Sequence, residues 1–128
     1  MTRFLSVAAA ASVVLLAGIN SAPAVETSRA SVEGKSLLQT HCARCHSIAA
    51  TGESPLREAP PLRQIYLRDP IEELEGGFAE GMGSKHRDMP QIQFSDEQVS
   101  AILNYLGSIT GVDFATRQRA PIPRETPP

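Results

Sequence analysis

Cysteine is scarce in this chain of 128 residues, with two in all, and tryptophan is absent. Two cysteines cannot form the two well-separated pairs that structural zinc modules commonly use, and the spacing of His41, His46 and His86 suits no familiar zinc motif. An excess of charge of one sign is also missing. Twelve Lys and Arg face 14 Asp and Glu, for a formal net charge of −2, which excludes a strongly basic nucleic-acid binder. The one extended apolar run, Phe4 to Ile19, is shorter than the roughly 18–20 residues a spanning helix needs. No internal repeat is visible, and no β-run matches the quality of the helical patterns. Without a βαβ pattern, a thioredoxin-like disulfide lacks its setting.

What the two cysteines do form is Cys42-Ala43-Arg44-Cys45-His46. Cys-x-x-Cys-His is the attachment pattern of c-type haem. Residues three apart on a helical turn share a face, so Cys42 and Cys45 can meet the two vinyl groups along one porphyrin edge and form thioethers. His46, beside the second anchor, is placed to reach the iron from the proximal side. One haem c, bound through Cys42 and Cys45, is the expected cofactor.

The organisation follows from composition. Residues 1–24 read as a secretory signal peptide: Arg3 gives the basic start, the Ala-, Val- and Leu-rich run follows, and Ala22-Pro23-Ala24 supplies the small residues of a cleavage site. Export and haem attachment agree, and the expected location is a bacterial periplasm. Cleavage would leave about 104 residues and, with Arg3 gone, a net charge of about −3. Residues 25–30 read as a linker and 31–111 as the haem domain. Residues 112–128, with four prolines and three arginines from Asp113 onwards, read as a disordered tail. The folded part is about 80 residues, a size at which a core alone is marginal, and a buried haem adds an apolar body for it to wrap.

The expected class is all-α, with about three to five helices wrapped around one haem. Ser31 reads as the N-cap of the first helix, with Glu33 in its first turn and Val32, Leu37 and Leu38 on its apolar side. A loop rich in Gly, Ser and Pro follows to Pro61, then a turn or so of helix over Leu62 to Leu67. Asp69-Pro70-Ile71-Glu72 reads as a cap, a first-position proline and a capping-box glutamate, and Gly76-Gly77 as the end or weakening of that helix. The last helix is the most fully written. Ser95 and Gln98 make a capping box, with Phe94 and Val99 in the staple positions. Val99, Ile102, Leu103, Leu106 and Ile109 then share one face, and Gly111 is a stop.

One axial histidine leaves a sixth iron position, for which Met82, His86 and Met89 are candidates. Met89 precedes Pro90, which restricts it to extended conformations, and a stiff strap suits a thioether held against iron. Loop position alone does not separate that role from a gap-filling core methionine.

Gly34, Cys42 to His46, Pro60-Pro61-Leu62, Met89-Pro90 and Ile102-Leu103-Asn104-Tyr105-Leu106 together resemble the class I cytochromes c, from about Ser31 to Ile109. The resemblance implies first and last helices that cross at one edge, with Gly34 admitting the last helix against Tyr105. It implies that His46 and Met89 are the axial ligands, that the Pro60 carbonyl accepts a hydrogen bond from the proximal histidine, and that Leu62 packs on the haem. Ala59 stands where many relatives carry glycine. With no tryptophan, the candidate propionate partners are Tyr66, Arg63, Arg68, Lys85 and Arg87, and Arg44, Arg63, Lys85 and Arg87 are candidates to steer an acidic partner.

The function so implied is a periplasmic carrier passing single electrons between redox proteins, not an enzyme, with no nucleic-acid partner and no stable membrane insertion after cleavage. A subunit docked on a periplasmic dehydrogenase or oxidase, through the Pro/Arg-rich tail, is the alternative. A haem peroxidase or gas-binding protein ranks below it, since that needs an open sixth position.

Overall fold

The computed structural model describes residues 23–81 and 88–119. The described residues form five helices, α1 (Pro23–His41), α2 (Leu62–Arg68), α3 (Ile71–Glu80), α4 (Asp96–Thr110) and α5 (Phe114–Arg119), and no strand. The all-α expectation holds.

Helix α4 is the axis of the fold. Its start is written locally: the Ser95 hydroxyl accepts from the Gln98 amide, and the Gln98 side chain accepts from the Ser95 amide. These bonds satisfy two of the amides a helix start leaves orphaned. Phe94 and Val99 are both buried around this cap. Its end is equally local, because Gly111 takes the left-handed conformation at φ 73°, which costs glycine little. Between the caps Ile102, Leu103 and Leu106 are fully or almost fully buried.

The closest helix pair is α1 against α4. A Cβ on Gly34 would collide with the Ala101 carbonyl and lie 2.8 Å from the Ile102 nitrogen. The crossing is therefore backbone on backbone. It falls at Ala101 and Ile102, a turn before Tyr105, whose hydroxyl instead donates to the Ile48 carbonyl at 3.0 Å.

Several boundaries differ from expectation. Helix α1 begins at Pro23, so Ser31 lies inside it and residues 25–30 are helix, not linker. The signal-peptide reading falls on residues outside the described ones, apart from positions 23 and 24. Helix α3 starts at Ile71 with Pro70 at its N-cap, and the Asp69 carboxylate meets Arg68 at 2.6 Å. It also runs through Gly76-Gly77 to Glu80. Burial of Leu74 and Phe78 on either side offsets a glycine penalty of about 1 kcal/mol each.

The tail reading is corrected over residues 114–119, which form α5. Asp113 caps it, its carboxylate accepting from the Thr116 hydroxyl at 2.6 Å and the Thr116 amide at 2.7 Å. Phe114 is buried in the core, and the Arg117 guanidinium lies 4.8 Å from the Tyr66 ring centre. Tyr66 in turn donates to the Val112 carbonyl at 2.9 Å. One buried aromatic and one cation–π contact hold a helix too short to persist alone. Residues 120–128 lie outside the described ones.

Two outcomes follow from this packing. Gly34→Ala sets a methyl against main chain that cannot step aside, and should cost about 3 kcal/mol, the upper end of overpacking penalties, in denaturant unfolding of the holoprotein. Hydrogen bonds from the Thr116 hydroxyl and amide hold the Asp113 carboxyl below its ordinary value of 3.8. A carboxyl whose folded pKa is depressed stabilises fully above its unfolded pKa and loses that contribution as pH falls through the folded one. The docking of α5 should therefore loosen in acid, read from the Phe114 ring resonances, and Asp113→Asn should flatten that dependence.

Candidate functional site

The chain leaves α1 in a tight turn. The Cys42 and Ala43 amides both bond the Leu38 carbonyl, at 2.9 and 3.0 Å, and the Cys45 and His46 amides both bond the Cys42 carbonyl, at 3.1 and 2.9 Å. Cys42, Cys45 and His46 are thus carried on a single helical turn and all three line one cavity of about 660 Å³, within the roughly 300–1,000 Å³ typical of small-molecule and cofactor sites.

His46 is buried, and its Nδ1 lies 2.7 Å from the Pro60 carbonyl oxygen. A carbonyl can only accept, so Nδ1 carries the proton. In the neutral ring, Nε2 is then left with a free lone pair, the form of imidazole that binds metal. The contact falls on Pro60 rather than Pro61. Neither cysteine is in a disulfide. Burial, and secondarily the neighbouring Cys45, pushes the Cys42 thiol up to about 11.

Another side of the cavity comes from far along the chain. Met89, half-buried, lines it together with Pro90, Ile92 and Phe94. This strap is fastened to the end of α3, since the Phe94 amide donates to the Phe78 carbonyl at 3.0 Å. Phe78 and Phe94 meet edge to face at 6.0 Å, and His41 meets Phe94 at 5.6 Å, a favourable aromatic geometry. Leu56 and Ala59 extend the apolar wall, while Arg44, Glu58 and Asp88 bring charge to the lining.

Not every expected residue is here. Leu62 is buried in the helical core and does not line the cavity, because it opens α2 with its side chain among the other core residues. Pro60 reaches the site through His46. Of the suggested propionate partners, Tyr66 is committed to Val112, Arg68 to Asp69 and Arg63 to the loop after His46. None of the three lines the cavity. Arg44 does. Met82, Lys85, His86 and Arg87 lie outside the described residues. His41, Phe78, Ile92 and Phe94 were not anticipated. Phe94 was legible only as a helix staple, and nothing local in the sequence marks the other three.

The cavity's chemistry fits a haem: two thiols three residues apart on one turn, an imidazole with its outer nitrogen free, a thioether, and walls largely of aromatic and aliphatic carbon. Residues 31–110 match the family model described as Cytochrome c. No curated protein and no solved structure gives a match. The chain belongs to the cytochrome c family. It binds haem c covalently through Cys42 and Cys45 and is a haem-binding electron-transfer protein, with redox proteins as its partners in the general sense.

The covalent link has a direct readout. Acidified organic solvent should leave the pigment on the wild-type chain and extract it from Cys42→Ser/Cys45→Ser. Pigment lost from the wild type would contradict the thioethers.

Proposed function

We propose that this chain is a periplasmic monohaem electron carrier, and not an enzyme, in which His46 and Met89 are the axial ligands of the haem iron. The observation that carries the reading is that His46, with Nε2 freed by the Pro60 hydrogen bond, and Met89 line the same cavity as the two attachment cysteines. The bound haem supplies a one-electron couple between ferric and ferrous iron.

The protein's own contribution is to hold that couple still. The turn after α1 fixes both thiols and the imidazole together. Pro60 holds the imidazole's tautomer and raises its basicity. Pro90 stiffens the strap that presents Met89, whose soft sulfur favours ferrous iron and raises the potential. Phe78, Phe94 and Ile92 give the cavity an apolar wall against which the haem would pack. With both axial positions taken, no site is left for a substrate on iron, which separates a carrier from a peroxidase or gas binder.

Export supports the periplasmic assignment through the basic start and apolar run of residues 1–24. No helix among the described residues is long and apolar enough to cross a membrane. Electron donor and acceptor would meet the protein in brief encounters over small interfaces. Arg44 lines the cavity and is the described cation best placed to greet an acidic partner. The reading as a docked subunit rested on a free tail, and α5 commits residues 114–119 to packing on the domain itself.

The ferric holoprotein is expected to show the weak far-red absorption band of methionine sulfur on ferric haem iron. Met89→Ala should lose the band, and the reduced variant should bind carbon monoxide rapidly where the wild type does not. A wild type without the band would contradict Met89 as ligand.

A further inference from the structure

Arg63 was one of several candidates for the haem edge, and the structure gives it other work. It sits in the first turn of α2, three residues after Pro60. One terminal nitrogen donates to the Ser47 hydroxyl at 3.3 Å and the Ala49 carbonyl at 3.2 Å, and the other to the Gly52 carbonyl at 2.8 Å. Ser47 directly follows His46 and is buried.

Every polar group of Ser47 is engaged. Its amide donates to the Ser54 hydroxyl at 2.9 Å, its carbonyl accepts from the Leu62 amide at 3.0 Å, and its hydroxyl accepts from Arg63. The two segments 46–47 and 60–63 are therefore fastened by consecutive rungs. The first is His46 Nδ1 to the Pro60 carbonyl, the second the Leu62 amide to the Ser47 carbonyl, and the third Arg63 to the Ser47 hydroxyl. Arg63 alone extends this fastening outward, to the carbonyls at 49 and 52.

The first rung depends on the other two. The His46 ring meets the Pro60 oxygen where residue 47 lies beside the start of α2, so a shift of residue 47 bears directly on that bond. That start is stiff, since the Gln64 and Ile65 amides bond the Pro61 carbonyl at 2.9 and 3.4 Å and proline fixes its own φ. The partner without helical structure of its own is the loop from 47 to 54, and Arg63 joins its carbonyls at 49 and 52 to α2. The task suits arginine, because a planar fork can hold divergent acceptors in one fixed geometry, which a lysine ammonium on a flexible stem does not.

We infer that Arg63 is a positioning residue for the proximal ligand: by clamping the 47–52 loop to α2 it sets the His46–Pro60 hydrogen bond, and through that bond the reduction potential. The inference rests on the reading of His46 as axial ligand. A hydrogen bond from Nδ1 makes the imidazole a stronger donor to iron and so favours the ferric state. Loosening it should raise the potential.

The test compares wild type, Arg63→Gln, Arg63→Lys and Ser47→Ala as holoproteins, by midpoint potential and by exchange of the His46 Nδ1 proton in the ferrous state, followed by NMR. Arg63→Gln should shift the potential upward and speed the exchange about fivefold or more, as losing a net hydrogen bond does. Ser47→Ala, which removes one rung, should move both in the same direction by less, and Arg63→Lys should restore little. If Arg63→Gln lowers the thermal midpoint but leaves potential and exchange at wild-type values, Arg63 merely holds a loop and the inference is wrong. A fall in potential overturns it as well. If Arg63→Gln yields no holoprotein, Ser47→Ala and Arg63→Lys decide, and wild-type values in both overturn it. Absence of iron-bound imidazole signals from His46 in the wild type would defeat the ligand reading itself, and this inference with it.

Discussion

The hydrogen bond from His46 Nδ1 to the Pro60 carbonyl is the constraint on which the site depends. It decides which imidazole nitrogen is free, and it ties the turn after α1 to the start of α2 across the loop between them. A buried histidine with a rotating ring would offer either nitrogen. A buried histidine donating to a main-chain oxygen offers one. The cost of ordering that loop is shared among main-chain and side-chain bonds that satisfy its polar groups, including the Tyr105 hydroxyl on Ile48.

The helical frame makes that bond possible. Because Gly34 lets α1 lie directly on the backbone of α4, the exit of α1 is fixed relative to the helix that carries most of the core. The strap from Asp88 to Ser95 is anchored at its α4 end, to α3 through the Phe94 amide and to α4 through the capping box. Cysteines and histidine from one part of the sequence and methionine from another thus reach one cavity by way of two rigid joints. The haem attached at Cys42 and Cys45 adds the apolar mass that a domain of about 80 residues otherwise lacks.

How much of this was legible in the sequence depended on how local its cause was. Helix α4 was readable almost to the residue, because Ser95, Gln98 and Gly111 act within a turn of themselves. The attachment cysteines and His46 were readable because their chemistry requires contiguity. Pro60 and Met89 were placed only with the help of family resemblance, since their partners lie far off in sequence. Gly76-Gly77 read as an end or a weakening of helix α3; the helix does not end there, because burial of Leu74 and Phe78 prevails. Helix α5 was hidden by the prolines and arginines around it. Its signals, the Asp113 cap and the buried Phe114, acquire meaning only once Tyr66 is in place to receive Arg117. Leu62 was placed on the haem by the family resemblance and Arg63 was one candidate partner for a propionate, but the start of α2 turns the first into the core and the second onto the loop. The aromatic wall of the cavity, built from three elements, had no local signal as a wall; of its members Phe94 alone was legible, and as a helix staple.

His46 presents a single tautomer, protonated at Nδ1 and bonded to Pro60, with Nε2 as the nitrogen proposed to bind the iron. The measurement is NMR of the ferrous holoprotein labelled with 15N-histidine and 13C-proline. The expected result for His46 is a proton on Nδ1, with coupling through the hydrogen bond to the Pro60 carbonyl carbon, and an unprotonated, iron-bound Nε2. A proton on Nε2, or no coupling from Nδ1 to Pro60, would contradict it.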